Sequence, residues 1–440
     1  MAQAAAAANG NRLTSKPTLN SEKRFRFLIW CFGVVLFVFA LVPLMHYLRG
    51  HSIKDYITWY QTGQLVLQGR EVYPEILVQK FDFMYPPPCA LFLAPVSWLG
   101  QFGVILVLVV VNAAAWITSI LCSVYLATGK HGRQHVLLYF VPNFIVIVYV
   151  WSNFLLGQPS LLLLALMLGA FICLRQKHEF FAGTLIAVAA AIKAFPVIAI
   201  IYLVYRRYWV AAGSLVLVLA FLLALSLPFR GTVLAKQDLA RWTSGMLLRY
   251  DEGGVAQRAG RSNAWKNQSI FGVANRMLRH VEYDFQWAPH TPVYANVADL
   301  KFSTVNNIIL GSALMLGLVY ISAMPRRERR TPETDAIEFA LLLLLILIFT
   351  PLSFGYLYVW LLYPFTVIVQ KMMIGAGAGL LRWTVAAVAL LALTIPNPRM
   401  AQTYGSVFFA TLLLFIGLAN ELWRLKREKI PTKPRFLLPG

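Results

Sequence analysis

In HSIKDYITWYQTGQLVLQG, residues 51–69, a single carboxylate, Asp55, heads an amphipathic stretch in a chain that is otherwise strongly basic. A short acidic side chain at a helix start satisfies free backbone N–H groups and is favoured by the helix dipole. Held rigidly against a cavity, the same carboxylate can accept a proton, and the two roles are compatible. Three further stretches carry comparable groups. In WSNFLLGQPSLLLLAL, Gly157, Gln158 and Pro159 interrupt the apolar flow, and the Gln158 amide suits either a sugar hydroxyl or a helix cap. In AAAIKAFPVIAIIYLVYRR, Lys193 and Pro196 separate two apolar runs. A lysine so placed either snorkels to headgroups or pairs with an anion.

The last stretch is RAGRSNAWKNQSIFGVANRMLRHVEYDF. Ile270, Phe271, Val273, Ala274, Met277, Leu278 and Val281 form a helical stripe, with Arg276, Arg279 and His280 on or near its polar side. Free N–H groups and cations converge at such a helix start, so Lys266, Asn267, Gln268 and Ser269 suit an anion. A solvated face, or attraction to anionic headgroups, uses the same residues. Asn267-Gln268-Ser269 also fits a glycosylation sequon, a weak pattern.

These residues have to be held by elements built in a membrane. Across 440 residues the chain is 59% hydrophobic and 13% charged, with mean hydropathy +0.65. That is too little polar surface to cover a soluble globule. Its apolar runs have spanning length, which makes the expected class all-α and polytopic. The first run, Phe25 to Leu48, exceeds the apolar core of a signal peptide and reads as an uncleaved anchor. Further candidate spans fall near 101–127, 136–151, 159–174, 180–193, 195–206, 209–228, 304–324, 337–350, 356–371, 380–397 and 403–424, giving about 12. The Pro-bounded run at 87–99 is shorter and suits a re-entrant or surface-lying piece.

Domain organisation follows. Residues 1–24 form a cytoplasmic polar tail, 25–424 the integral domain with outer loops 49–100 and 229–303, and 425–440 a cytoplasmic basic tail. The segments KPTLNSEKRFR, TGKHGRQH, RQKHE, RR at 206–207, PRRERR and RLKREKIPTKPR then all lie inside, as the positive-inside rule requires. A formal charge of +21 suggests nucleic acid, but the basic residues are split across a membrane and carry no nucleic-acid module. The four cysteines scatter as Cys31, Cys89, Cys122 and Cys173, and histidines show no paired ligand spacing. Neither a disulfide framework nor a metal site is expected.

In order, these signals resemble the bacterial polyprenyl-phosphate-mannose-dependent α-mannosyltransferases, within the polytopic GT-C glycosyltransferases. The likeness covers about residues 26–424. It rests on Asp55 with its aromatic helix ending in Gly69, Tyr73 and Pro74; YPPP at 85–88 with Pro95; GQ at 157–158; KAFP at 193–196 before YLVYRR; NQS at 267–269 with Arg276; and TPLS at 350–353. Each piece is weak alone, and the ordered set is fairly specific. One departure is visible. After TP the family often carries Ser-Trp and then His, where this chain has Phe354 and Tyr356.

The resemblance implies sugar transfer, of mannose first, from a polyprenyl-phosphate donor to a hydroxyl on a lipid-linked or glycan acceptor. It places the reaction on the non-cytoplasmic face of the cell membrane. Asp55 is then the general base, with Lys193, Arg261, Lys266 and Arg276 as donor-phosphate ligands and Tyr85, Gln158, Asn267, Gln268 and Tyr356 lining the sugar or acceptor pocket. Polyprenyl phosphate is already a competent leaving group, so no general acid is obligatory, and with no outer DxD-like pair no metal and no cofactor are expected. One base and stabilising cations suffice, and the anomeric centre inverts. The alternative is a transporter of lipid or lipid-linked sugar that uses the same cations without reacting.

Overall fold

The computed structural model describes residues 19–51, 53–74, 82–255, 262–284, 290–375 and 378–427. The helices within them form one membrane-embedded bundle, all-α except for a two-residue ribbon, β1 (Tyr250–Asp251) with β2 (Gly254–Val255). Exposed apolar side chains are the clearest mark of the environment. Trp30 and Phe37 on α1 (Leu19–Leu48) are about two-thirds exposed. In water such a helix would be an aggregation surface; in lipid it is the normal outer face.

Among the described residues five helices are long and apolar enough to cross a membrane: Phe25–Leu48 within α1, and Gly100–Thr128, Leu137–Leu156, Phe302–Ala323 and Ser406–Arg427. A sixth is reached if the pair Trp209–Ala224 and Ser226–Leu247, bent by 75°, counts as one broken span. Of the about 12 expected runs, these are the ones that form a helix of spanning length and apolarity among the described residues. Hydropathy registers apolar runs but not where they bend or stop. The run at 195–206 is a 3₁₀ turn, Phe195–Ile198, followed by a seven-residue helix, Ala199–Tyr205. The run at 356–371 also begins as a 3₁₀ turn, Gly355–Leu361. Several other runs are apolar helices of 10–17 residues.

In chain order, α2 (Lys54–Leu67) lies on α3 (Pro87–Ser97), and α4 (Gly100–Thr128) and α5 (Leu137–Leu156) lead into α6 (Ser160–Arg175), α7 (Glu179–Ile192) and α8 (Ala199–Tyr205). Helix α7 packs between α6 and α9 (Trp209–Ala224), and α10 (Ser226–Trp242) and α11 (Ile270–Leu278) belong to the long loop. The second half comprises α12 (Phe302–Ala323), α13 (Pro332–Phe349), α14 (Leu362–Met373), α15 (Ala378–Ala392), α16 (Pro398–Thr403) and α17 (Ser406–Arg427). Helix α17 packs on α13 and α15, and α14 packs on α5, which ties the two halves together. The 87–99 piece is helix α3, with seven buried residues, and Pro87 and Pro88 open it. That use of proline is the favourable one, since the first turn needs no N–H donors.

Not every basic residue at a helix end is a topology signal. Arg206 turns inward: its Nε donates to Glu338 Oε2 at 3.0 Å and its Nη1 to the Pro325 carbonyl at 3.0 Å. A buried cation is tolerable only when paired and hydrogen-bonded in this way, and here it joins the end of α8 to α13.

Candidate active site

Helix α2 presents its apolar side inward, with Tyr56 and Trp59 buried, and stops where Gly69 takes a left-handed φ of 64°. Asp55 is the second residue of this helix, after the cap residue Ile53, which makes no side-chain cap bond. Asp55 therefore benefits from the dipole, but its visible partner lies elsewhere. Gln158 Nε2 donates to Asp55 Oδ2 at 2.7 Å across a sequence separation of 103 residues. The other oxygen, Oδ1, makes no hydrogen bond to a described residue.

Gln158 is held by the chain around it. Helix α5 ends at Gly157 with φ 67°, which turns the backbone so that Trp59 Nε1 donates to the Gly157 carbonyl at 2.9 Å. Tyr56 OH donates to the Phe154 carbonyl at 2.7 Å, so α2 is pinned twice to the end of α5. A methyl group on Gly157 would lie 2.8 Å from the Tyr56 ring. Gly157→Ala should cost about 1–3 kcal/mol through the left-handed backbone and the clash. The expected outcome is a lowered melting temperature with a larger loss of turnover, because the shift falls on the Asp55–Gln158 contact. Wild-type values of both would show that the turn has room to relax.

On its other side Gln158 Oε1 accepts from Tyr85 OH at 2.8 Å. Burial pushes the Tyr85 hydroxyl well above its usual range, with Tyr356 and Asp55 adding to the rise, so the phenol stays protonated and donates. Tyr85 packs between Phe83 and Trp59, with ring centroids 5.4 and 4.4 Å away, and its carbonyl accepts from Tyr73 OH at 2.5 Å. The Tyr73 segment is anchored in turn by α10. Arg241 donates to Glu71 and to the Tyr73 carbonyl, Arg230 to the Arg70 carbonyl, and Arg230 pairs with Asp238. The Arg241 hydrogen bond lowers the Glu71 pKa below the usual carboxylate range.

Lys193 completes the cluster. It caps the C-terminus of α7, in extended backbone just after Ile192, and its Nζ lies 4.9 Å from the Tyr356 ring centre and 5.6 Å from that of Tyr85. Aromatic faces stabilise an ammonium while leaving its donors able to reach an anion. Tyr356 is set by a residue that sequence reasoning passed over. Buried Asn153 donates to the Tyr356 carbonyl at 2.7 Å, and its one available signal was a polar side chain four positions before Gly157 in an apolar run. Cys89 is close to Lys193, but burial pushes its thiol well above the usual range, which leaves it inert as a nucleophile.

Asp55, Tyr85, Gln158, Lys193 and Tyr356 thus converge, whereas the loop residues do not join them. Arg276 is buried on the inner side of α11, not on the polar face expected for it. Its guanidinium donates to the carbonyls of Asn263, Ala264, Asn267, Gln402 and Thr403. Asn267 and Gln268 are also fully buried. Asn267 donates to the carbonyls of Ser262 and Pro351, and Gln268 to those of Trp265 and Gln402. Ser353 N donates back to Asn267 Oδ1 at 3.0 Å, so the NQS and TPLS pieces lock one another. In the structure these three side chains brace the loop, their donors spent on backbone carbonyls. Their burial also closes the sequon to modification, and Ser269 and Asn267 already cap the start of α11. Periodicity missed this because a long cation at the edge of an apolar stripe can turn either way.

Lys266 is exposed, its Nζ 5.0 Å from the Trp265 ring centre, and Arg261 lies outside the described residues. Among the described residues no group of three His, Cys, Asp or Glu side chains could hold a metal ion.

The cluster can take a proton from a hydroxyl at Asp55 and hold an anion at Lys193. Compared with known protein families, residues 83–351 match glycosyltransferase family 87. No curated protein and no solved structure matches the chain.

Proposed function

The chain belongs to glycosyltransferase family 87, and on that premise we propose that it moves a sugar, mannose by the likeness of its motifs, from a polyprenyl-phosphate donor to a hydroxyl acceptor. Membership makes it a membrane glycosyltransferase and removes the transporter alternative; donor, acceptor, membrane face and residue roles are the proposal. The match, residues 83–351, contains Tyr85, Gln158 and Lys193; Asp55 and Tyr356 lie outside it.

One observation carries the reading: a carboxylate oriented by an amide, Gln158 Nε2 to Asp55 Oδ2 at 2.7 Å, stands in one cluster with a lysine lodged against two tyrosines. In the proposed step the acceptor oxygen attacks the anomeric carbon and its proton passes to the Asp55 carboxylate. The bond from that carbon to the phosphate oxygen breaks, and the electron pair leaves with the polyprenyl phosphate. Lys193 meets the charge that develops there, while a phosphate role for Lys266 and Arg261 rests on the resemblance alone. The acceptor arrives opposite the leaving group, so the configuration inverts. Tyr356 stands where the resembling family often has His, and it offers a hydrogen bond without charge.

Transfer of radiolabel from polyprenyl-phosphate-mannose to a membrane-lipid extract, by purified protein in lipid nanodiscs, tests the proposal. A labelled product supports it, product only with another donor sugar corrects the donor, and silence across a donor panel overturns it. Lys193→Gln should lower kcat/KM for the donor by about tenfold to a hundredfold, the worth of one charge-assisted phosphate contact. Unchanged kinetics would leave Lys193 as a headgroup anchor only.

A further inference from the structure

A second cationic pocket lies at the far end of α12 from the long loop. The start of α12 is at the loop, where Arg279 stands 4.9 Å from the Phe302 ring centre. Over its 22 residues the helix rises about 33 Å, roughly a hydrocarbon core. At its other end a cavity of about 530 Å³ is lined by Ser322, Arg326, Arg329, Trp423, Lys426 and Arg427. Lys426 is fixed there by donating to the Ser322 carbonyl at 2.6 Å.

The nearby acids are engaged elsewhere. Glu421 pairs with Arg424 and Lys371, and Glu333 pairs with Lys371. Glu328, on the turn between Arg327 and Arg329, forms no ion pair with a described residue. Arg326, Arg329 and Arg427 make no side-chain hydrogen bond or ion pair to described residues. Four like charges around one cavity repel each other, and an anion between them removes that cost. An orientation signal needs cations near the end of a span, but not their convergence on a cavity.

The approach to the cavity is apolar. Leu310, Leu314, Leu318 and Ile321 recur at helical spacing along α12, all exposed, and lead to Ser322. Trp423 supplies the interfacial aromatic. We propose that this pocket binds the phosphate of an anionic phospholipid, its acyl chains lying along that stripe, at the opposite membrane face from Asp55. Basic pockets between helix ends are suited to such headgroups. The proposal does not depend on the transferase reading.

Native mass spectrometry of the full chain in detergent, titrated with phosphatidylglycerol, phosphatidylcholine or inorganic phosphate, tests it. Phosphatidylglycerol should bind about tenfold or more tightly than the zwitterionic lipid, and R326Q/R329Q/R427Q should lose that preference. The control K177Q/R207Q/R382Q removes as many exposed charges elsewhere and should retain it. Equal binding by the pocket variant overturns the site. Inorganic phosphate binding as tightly as the lipid overturns the lipid and leaves a soluble phosphate ligand. Melting without lipid checks the fold, and the single variants R326Q and R427Q replace the triple one if it is lowered.

Discussion

Asp55→Asn is expected to lower sugar transfer by about 10²–10⁴, the usual worth of a positioned general base. The substitution keeps size and shape, and an amide oxygen can still accept from Gln158, so melting temperature should not change. A chelator added to the wild type should leave turnover intact if, as proposed, no metal takes part. Asp55→Glu is expected to fall between the two, since its carboxylate is displaced by one methylene from the Gln158 contact. If Asp55→Asn keeps more than about a tenth of wild-type turnover, below the worth of a base, the carboxylate serves the helix dipole and not the reaction.

The second large effect is on stability. Arg276→Ala leaves five buried carbonyls without the donor they share. Breaking a buried charged network costs about 3–5 kcal/mol, and no other described side chain is placed to replace it. Thermal melting should show a drop of many degrees, and the fraction that stays folded should keep its donor KM. A phosphate ligand would behave in the reverse way, with an unchanged melting temperature and a raised KM. That second pattern would restore Arg276 to the site.

How much could be read from the chain differs by element. The anchor Phe25–Leu48 and the amphipathic α2 were legible because each is a local pattern: one is length and apolarity, the other period and a glycine stop. The span count was not legible. Hydropathy marks an apolar run but not the helix length it folds into, and α6 forms only 16 residues of helix. In the cluster, polar interruptions marked Gln158 and Lys193. The contact that gives Asp55 its partner joins residues 103 positions apart, which no window on the sequence contains. Arg276 failed for another reason. Its burial depends on carbonyls from residues 402–403, and their arrival beside α11 is a tertiary fact.

The brace around Arg276 also sets an order on biosynthesis. Its partners at Gln402 and Thr403 are synthesised 126 and 127 residues later. Until then the guanidinium lacks two of its carbonyls, and Gln268 lacks the Gln402 carbonyl as well. Gln268 bears directly on the turn carrying Tyr356, because Tyr358 OH donates to its carbonyl at 2.7 Å. The nascent chain therefore holds an unfinished brace beside the Tyr356 turn while most of its helices are already made. A ribosome stalled before α16 would release a membrane-inserted but incompetent intermediate, recognisable by protease cleavage within the long loop.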